Sequence, residues 1–171
     1  KLSELDLSGS TPKNSNWVIA DCTLLRKLII GGESYSPSYT DDILSTLNLG
    51  QMPFLEEIDV RNTTIMSLNA SLCPRLRSVL AVGSSLRTLS VAESSPVETL
   101  QLPTGMTALQ LVNLPRLRYP DGGLTFEGLS NVTRLQLSGC PNIDGEKLLN
   151  DIIEQGGKIT VIYIDLDNVS S

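Results

Sequence analysis

Histidine is absent from this chain of 171 residues, and aromatic residues make up only 4% of it. Without an imidazole, the sequence cannot build a Ser-His-Asp triad, a Cys-His pair or a zinc site that mixes histidine and cysteine ligands. The scarcity of Phe, Trp and Tyr means that a core must be aliphatic, built mostly from Leu, Ile and Val. Hydrophobic residues are 40% of the chain, which is ordinary for a globular domain of this length.

Cysteine and positive charge are also scarce. The chain has three cysteines, Cys22, Cys73 and Cys140. Because their number is odd and they are widely spaced, a disulfide framework and a C-x-x-C metal motif are excluded. The chain has 13 Lys and Arg against 19 Asp and Glu, a net charge of −6. It lacks the basic stripe that nucleic-acid-binding proteins need, and anionic membranes are disfavoured for the same reason. No run approaches the roughly 18 apolar residues of a membrane span.

Catalytic motifs are missing as well. Neither G-x-S-x-G nor a phosphate-binding G-x-x-x-x-G-K-[ST] occurs in the sequence. The densest acidic cluster is Glu56, Glu57 and Asp59, but an acid–base pair needs a pocket that separates its two pKa values. We therefore predict that Glu57 and Asp59 are solvent-facing residues of an alternating strand. The chain is expected to be non-enzymatic, with no cofactor and no metal.

What the chain does contain is a repeated motif, clearest in Val132 to Asp144, which reads VTRLQLSGCPNID. Leu135 and Leu137 alternate with Arg134 and Gln136, so the two leucines point to one side of a short strand and the polar pair to the other. Ser138 and Gly139 then turn the chain, and Cys140 is predicted to lie buried inside the bend, as a small hydrophobe. One such coil cannot bury its own apolar face, so similar coils must stack on it.

Further copies of the L-x-x-L-x-L spacing run along the whole chain. They begin at Leu2, Leu25, Leu55, Leu76, Leu86, Val97, Met106 and Ile159. The copies that begin at Leu86, Val97 and Met106 are only about ten residues apart, too close for a strand, a helix and two turns. We interpret this part as short strands that alternate between two faces of a flattened solenoid. A proline two residues before the first apolar position suits the start of a strand; it recurs at Pro53, Pro74 and Pro115.

Helices are predicted at three places. Asn16 is a candidate cap for a short helical piece with Trp17, Val18 and Ile19. Thr40 is a candidate cap for a helix through Leu47 that ends at Gly50. The clearest helix follows Asp144 and covers 145–155, because Leu148, Leu149, Ile152 and Ile153 fall on one face and a Gly-Gly pair ends it.

These motifs resemble the leucine-rich repeat family. The resemblance is strongest in VTRLQLSGCPNIDGEKLLNDIIEQGGKI, which is similar to the cysteine-containing subtype, and fair in LSELDLSGS and LEEIDVRNT. Repeat lengths vary from about 10 to 30 residues, and in this the chain resembles irregular repeats of bacterial surface proteins and phage structural proteins. The resemblance implies an α/β, β-rich curved solenoid with one parallel sheet on its inner face and turns and a few helices outside.

The family also implies a function. We expect one domain over 1–171 that is a fragment of a longer protein, because the chain begins directly in a repeat. Such a module would bind a protein or a surface polymer, or alternatively serve as a structural component of a phage particle or cell envelope, at a cell surface or in a virion rather than in the cytoplasm. The outward positions of the inner sheet form the predicted partner-binding face: Glu57, Asp59, Arg61, Arg134, Gln136 and Tyr163.

Overall fold

A computed structural model of the chain describes residues 2–8, 16–19, 22–32 and 45–165. These residues form thirteen strands and one helix. The strands are β1 (Glu4–Asp6), β2 (Asn16–Ile19), β3 (Lys27–Ile29), β4 (Thr46–Leu49), β5 (Glu57–Asp59), β6 (Ser67–Ala70), β7 (Ser78–Leu80), β8 (Thr88–Val91), β9 (Thr99–Leu102), β10 (Ala108–Val112), β11 (Leu124–Phe126), β12 (Arg134–Ser138) and β13 (Val161–Ile164). Helix α1 (Gly145–Glu154) lies between β12 and β13.

The strands form three sheets in which every pairing is parallel. The six-stranded sheet has the order β1-β3-β5-β7-β9-β11, the four-stranded sheet β2-β4-β6-β8, and the three-stranded sheet β10-β12-β13. From β1 to β12, consecutive strands therefore alternate between two sides of the molecule. The chain is a parallel β-solenoid of about six turns, one for each strand of the six-stranded sheet.

In-register stacking builds the core. In the six-stranded sheet, one inward column contains Leu5, Leu28, Ile58, Val79, Leu100 and Leu124. In the three-stranded sheet, Leu109, Leu135 and Ile162 occupy one ladder position. Because side chains alternate along a strand, a shift by one residue would move every apolar column to the outside, and the register is therefore strongly specified. A single continuous cluster of buried aliphatic side chains results.

The prolines lie in the turns that lead into the six-stranded sheet. The amide N–H of Leu55 donates to the carbonyl oxygen of Met52 at 3.2 Å, and Leu76 and Leu117 make the same bond to Cys73 and Leu114. The prolines occupy the second position of these four-residue turns, where their fixed φ is favourable and their missing N–H costs nothing. The repeated proline signal thus marks a corner of the coil, which lies just before β5 and β7 and further ahead of β11.

Helix α1 confirms the third helix prediction. The Asp144 carboxylate accepts from the Lys147 amide N–H, and Leu148 and Ile152 are buried. Along the chain, α1 takes the place at which earlier coils send a strand to the six-stranded sheet. Asp144 and Tyr119 also bond through their backbones, which ties the start of α1 to the preceding coil.

Three expectations about the fold differ from the structure. Residues 16–19 are strand β2 rather than helical, because they pair in register with β4. Residues 46–49 are strand β4, since Leu47 and Leu49 are buried alternately and the neighbouring strands take up their backbone hydrogen bonds; the first part of that predicted helix lies outside the described residues. The prediction of a single inner sheet is wrong, because the strands form three sheets. The flattened solenoid that was predicted for the middle of the chain extends over most of the described residues.

Candidate partner-binding faces

The six predicted binding residues divide between two sheets. Glu57 and Asp59 belong to β5 of the six-stranded sheet, and Arg61 lies two residues beyond the end of that strand. Arg134 and Gln136 belong to β12 of the three-stranded sheet, and Tyr163 belongs to the adjacent strand β13. The structure therefore brings together two groups of three, not one face of six.

Asp59 is not the solvent-facing residue that the sequence predicted. It is only 4% exposed, because the Arg61 side chain folds back over it. Arg61 Nη2 lies 2.7 Å from Asp59 Oδ2, its Nε contacts both carboxylate oxygens at 3.1 Å, and its amide N–H donates to Oδ1 at 3.0 Å. Both charges are satisfied within the turn, which leaves little for a partner to bind.

Other charges of the six-stranded sheet pair between neighbouring coils. Lys27 Nζ lies 2.9 Å from Glu57 Oε1, and the hydrogen bond that Lys27 donates to this carboxylate raises the pKa of Lys27. Arg26 pairs with Glu56 in the same two coils, at 2.5 Å. Two coils further on, Glu98 accepts ion pairs from the coils on either side of it, from Arg77 at 3.8 Å and Arg116 at 2.9 Å. Charge thus alternates from coil to coil, which favours the observed register although each exposed pair contributes little stability.

The outward side of the three-stranded sheet has a different character. Arg134 lies beside Val161, and Gln136 lies between Gln110 and Tyr163. Arg134 is exposed, and no carboxylate of the described residues forms an ion pair with it. Tyr163 is 56% exposed. This sheet therefore presents an unneutralised guanidinium and an aromatic ring on a rigid surface.

Asp165 orients the end of this face. The Ser138 hydroxyl donates to Asp165 Oδ2 at 2.5 Å, and the amide N–H of Asp165 bonds to the carbonyl oxygen of Leu137. The hydrogen bonds from Ser138 and Tyr163 lower the pKa of Asp165, and the same contact raises the pKa of the Tyr163 phenol. At neutral pH this end of the face thus presents the Asp165 carboxylate beside the Tyr163 phenol.

An open polar cleft lies at the corner of the last coils. Its volume is about 540 Å³, and it is lined by Glu98, Pro115, Arg116, Arg118, Asp121, Gly122, Gly123 and Asn142. The side chain of Asn142 donates to the Pro115 carbonyl oxygen, and Arg116 pairs with Glu98. Two arginines face two carboxylates, so the lining carries no net charge and offers no strong attraction to an anion.

The buried thiols are packing residues, as the sequence suggested for Cys140. Cys73 and Cys140 are both fully inaccessible. Burial raises the pKa of the Cys73 thiol to about 11 and also raises that of Cys140, which keeps both protonated and unreactive at neutral pH.

Among the described residues, no group of three His, Cys, Asp or Glu side chains is arranged to hold a metal ion. Nor do these residues form a helix with the length and apolar character that crossing a bilayer requires.

Sequence reasoning missed the interaction that holds α1 in place. The Tyr119 hydroxyl donates to Asp151 Oδ2 at 2.5 Å, and Lys147 Nζ lies 2.5 Å from the other oxygen of the same carboxylate. Burial is the main reason that the pKa of Tyr119 is raised, and the hydrogen bond to Asp151 adds to it. The Lys147–Asp151 spacing of four residues was a visible signal in the sequence, but Tyr119 is distant along the chain and gave none.

Comparison with known proteins adds no relative: no family model matches the chain, no curated protein is similar to it, and no solved structure matches its fold.

Proposed function

We propose that this chain is a non-enzymatic binding module that presents Arg134, Gln136 and Tyr163 of the three-stranded sheet to a protein partner. The observation that carries the proposal is the adjacency of an unneutralised Arg134 and an exposed Tyr163 on strands that pair in register. Arginine and tyrosine are enriched among the residues that dominate binding energy at protein interfaces. A parallel sheet fixes their backbones, so little conformational entropy is lost on binding.

The six-stranded sheet is the weaker candidate for the same role. Glu57 is paired with Lys27, and Asp59 is covered by Arg61. A partner that bound there would have to replace ion pairs that the chain already makes within itself. We therefore do not include Glu57, Asp59 and Arg61 in the proposed binding face, which consists of the three residues of the other sheet.

The membership of the leucine-rich repeat family remains part of the proposal. Its support is the L-x-x-L-x-L spacing and the order of strand, cysteine turn, capped helix and strand over 132–164. A role as a structural component of a phage particle or cell envelope is the alternative. It draws on the same repeat and on the stacked coils, which would suit a spacer.

The test uses photo-crosslinking at two matched positions. A benzophenone amino acid replaces Gln136 on β12 in one variant and Gln101 on β9 in the other; both side chains point outward and both are partly buried. Each purified variant is irradiated in a lysate of the source cells, and adducts to other proteins are identified by mass spectrometry. We expect a discrete adduct at position 136 and none of the same identity at position 101.

Charge reversal supplies the second arm of this test. Arg134→Glu in the position-136 variant should reduce the yield of the adduct at least about tenfold, the equivalent of ~1.4 kcal/mol of binding. Arg118→Glu, at an exposed arginine that lines the cleft beside β11 of the six-stranded sheet, makes the same change of charge away from the face and should leave the yield unchanged. Equal loss in both variants, or equal labelling at positions 136 and 101, would contradict the proposed face.

A further inference from the structure

Acidic residues are distributed unequally between the two sides of the solenoid. The six-stranded sheet has carboxylates within its strands and directly before them, at Glu4, Asp6, Glu56, Glu57, Asp59 and Glu98. None of the described strands in the four-stranded and three-stranded sheets contains Asp or Glu. We call these two sheets together the carboxylate-free side; Asp165 lies just beyond the end of its last strand. In a chain with a net charge of −6, this is the side that does not repel an acidic partner at close range.

Backbone hydrogen bonds join the two sheets of the carboxylate-free side. The amide N–H of Thr107, directly before β10, donates to the carbonyl oxygen of Arg87, directly before β8, at 3.2 Å. The amide N–H of Arg134 donates in turn to the carbonyl oxygen of Thr107 at 3.3 Å. Arg87 and Arg134 are thus two coils apart, which corresponds to about 10 Å between their backbones at the usual separation of neighbouring strands.

Arg87 and Arg134 are the cations of this side, and both are exposed. Neither forms an ion pair with a carboxylate in the part of the chain that the structure describes. Met66 lies one coil before Arg87, is 40% exposed, and accepts the Arg87 amide N–H on its carbonyl oxygen at 2.8 Å. Arginine binds a carboxylate through two parallel hydrogen bonds, and Arg and Met are enriched at protein interfaces. The two guanidinium groups therefore fit a partner that brings two carboxylates about 10 Å apart.

The negative net charge of the chain does not prevent such binding at physiological salt. Packed sheets are separated by about 10 Å, and the carboxylates of the six-stranded sheet project from its far side. The Debye length at physiological ionic strength is about 8 Å, so these charges are largely screened from a partner on the carboxylate-free side. The nearby guanidinium groups therefore dominate the interaction.

We propose that the partner of this face is a protein segment rich in Asp and Glu, which lies extended along the solenoid axis with carboxylates on Arg87 and Arg134. This inference rests on the proposed function, because it names the chemistry of the partner and enlarges the face by Arg87. An extended chain advances by about 3.3 Å per residue, so carboxylates about three residues apart reach both arginines. The hydroxyl and amide side chains of the neighbouring strands surround the segment with uncharged hydrogen-bonding groups.

Fluorescence anisotropy with two labelled peptides tests the proposal at ~150 mM salt. One peptide alternates Glu with Ser and the other alternates Gln with Ser; each has about 16 residues and extends to roughly 50 Å. We expect the whole chain to bind the Glu peptide and not the Gln peptide. Arg87→Gln and Arg134→Gln should each weaken binding by about two- to fivefold, as expected for an exposed ion pair. Arg118→Gln is the matched control, because it removes an exposed arginine from the other side and should leave binding unchanged.

Competition with polygalacturonate separates an acidic protein segment from an acidic polysaccharide. This polymer should displace the Glu peptide poorly; displacement as strong, per carboxylate, as by unlabelled Glu peptide would overturn the proposal. Equal binding of the two peptides, or equal weakening in the Arg87 and Arg118 variants, would also overturn it. A chain that forms the lysate adduct at position 136 but binds neither peptide would refute the acidic partner and leave the proposed function intact.

Discussion

Truncation at one ladder position in two successive coils provides the sharpest test of the stacked core. Leu135 and Ile162 face each other in register on β12 and β13, yet Leu135 is 1% exposed and Ile162 is 50% exposed. Leu135→Ala removes a fully buried side chain and leaves a closed cavity, which typically costs about 2–5 kcal/mol. Ile162→Ala removes a side chain that is already half in water and leaves no closed cavity, so we expect it to cost roughly 1 kcal/mol.

The free energy of unfolding of both variants is measured by equilibrium unfolding in urea. The transition is followed by circular dichroism at ~1 µM protein to limit self-association. For a chain of this length, 1 kcal/mol corresponds to roughly 2–4 °C in the thermal midpoint. Leu135→Ala should thus lower the midpoint by about 4–20 °C and Ile162→Ala by no more than about 4 °C. Equal losses at unchanged m-value would show that Ile162 is as deeply buried as Leu135 and would contradict its half-exposed position.

Three further predictions concern close packing, pH and thiol reactivity. Gly123→Ala should destabilise the fold by more than 1 kcal/mol, because a Cβ there would lie 1.8 Å from the backbone carbonyl oxygen of Glu98; Gly128→Ala, whose Cβ would meet only a threonine side chain at 3.0 Å, should cost far less in the same urea titration. The pKa of Asp151 is lowered chiefly by its hydrogen bond from Lys147, so its contribution to stability is present above the usual carboxyl pKa and is lost as pH falls through the lower, folded value. Asp151→Asn should accordingly lose less stability than the wild type between pH 5 and pH 2, and equal losses would show that the contact is unimportant. Cys73, buried with a pKa of about 11, should resist alkylation by iodoacetamide at pH 8 and react only in urea, as peptide mass spectrometry would detect.

Part of the architecture was predictable because it depends on local spacing. The L-x-x-L-x-L motif places two apolar residues on one side of a short strand wherever it occurs, and the structure has a strand at the copy in Val132 to Asp144 and at each of the eight further copies. The Asp144 cap and the apolar stripe of α1 are equally local, and both boundaries of the helix were predicted to within one residue. The proline signal was also local, although the structure shows that it marks a turn.

The candidate site was less predictable, because it depends on which strands become neighbours. The sequence shows that Glu57, Asp59, Arg134 and Gln136 are at alternating positions, but spacing alone cannot say that the first pair and the second pair belong to different sheets. Nor can it show that Arg61 folds back on Asp59, since that contact requires the turn after β5.

The sequence by itself determined that this protein has an aliphatic, repetitive core and no histidine chemistry, because residue types and their spacing along a strand are sufficient for both conclusions. Only the tertiary structure decided that the alternation of strands between two sides, which the sequence predicted for the middle of the chain, extends over most of the solenoid. It also decided that Glu57 and Arg134, which the sequence placed on one face, belong to different sheets. These features arise from contacts between coils that are 20 to 30 residues apart in sequence, as in the pairing of β12 with β13, and no local pattern encodes them.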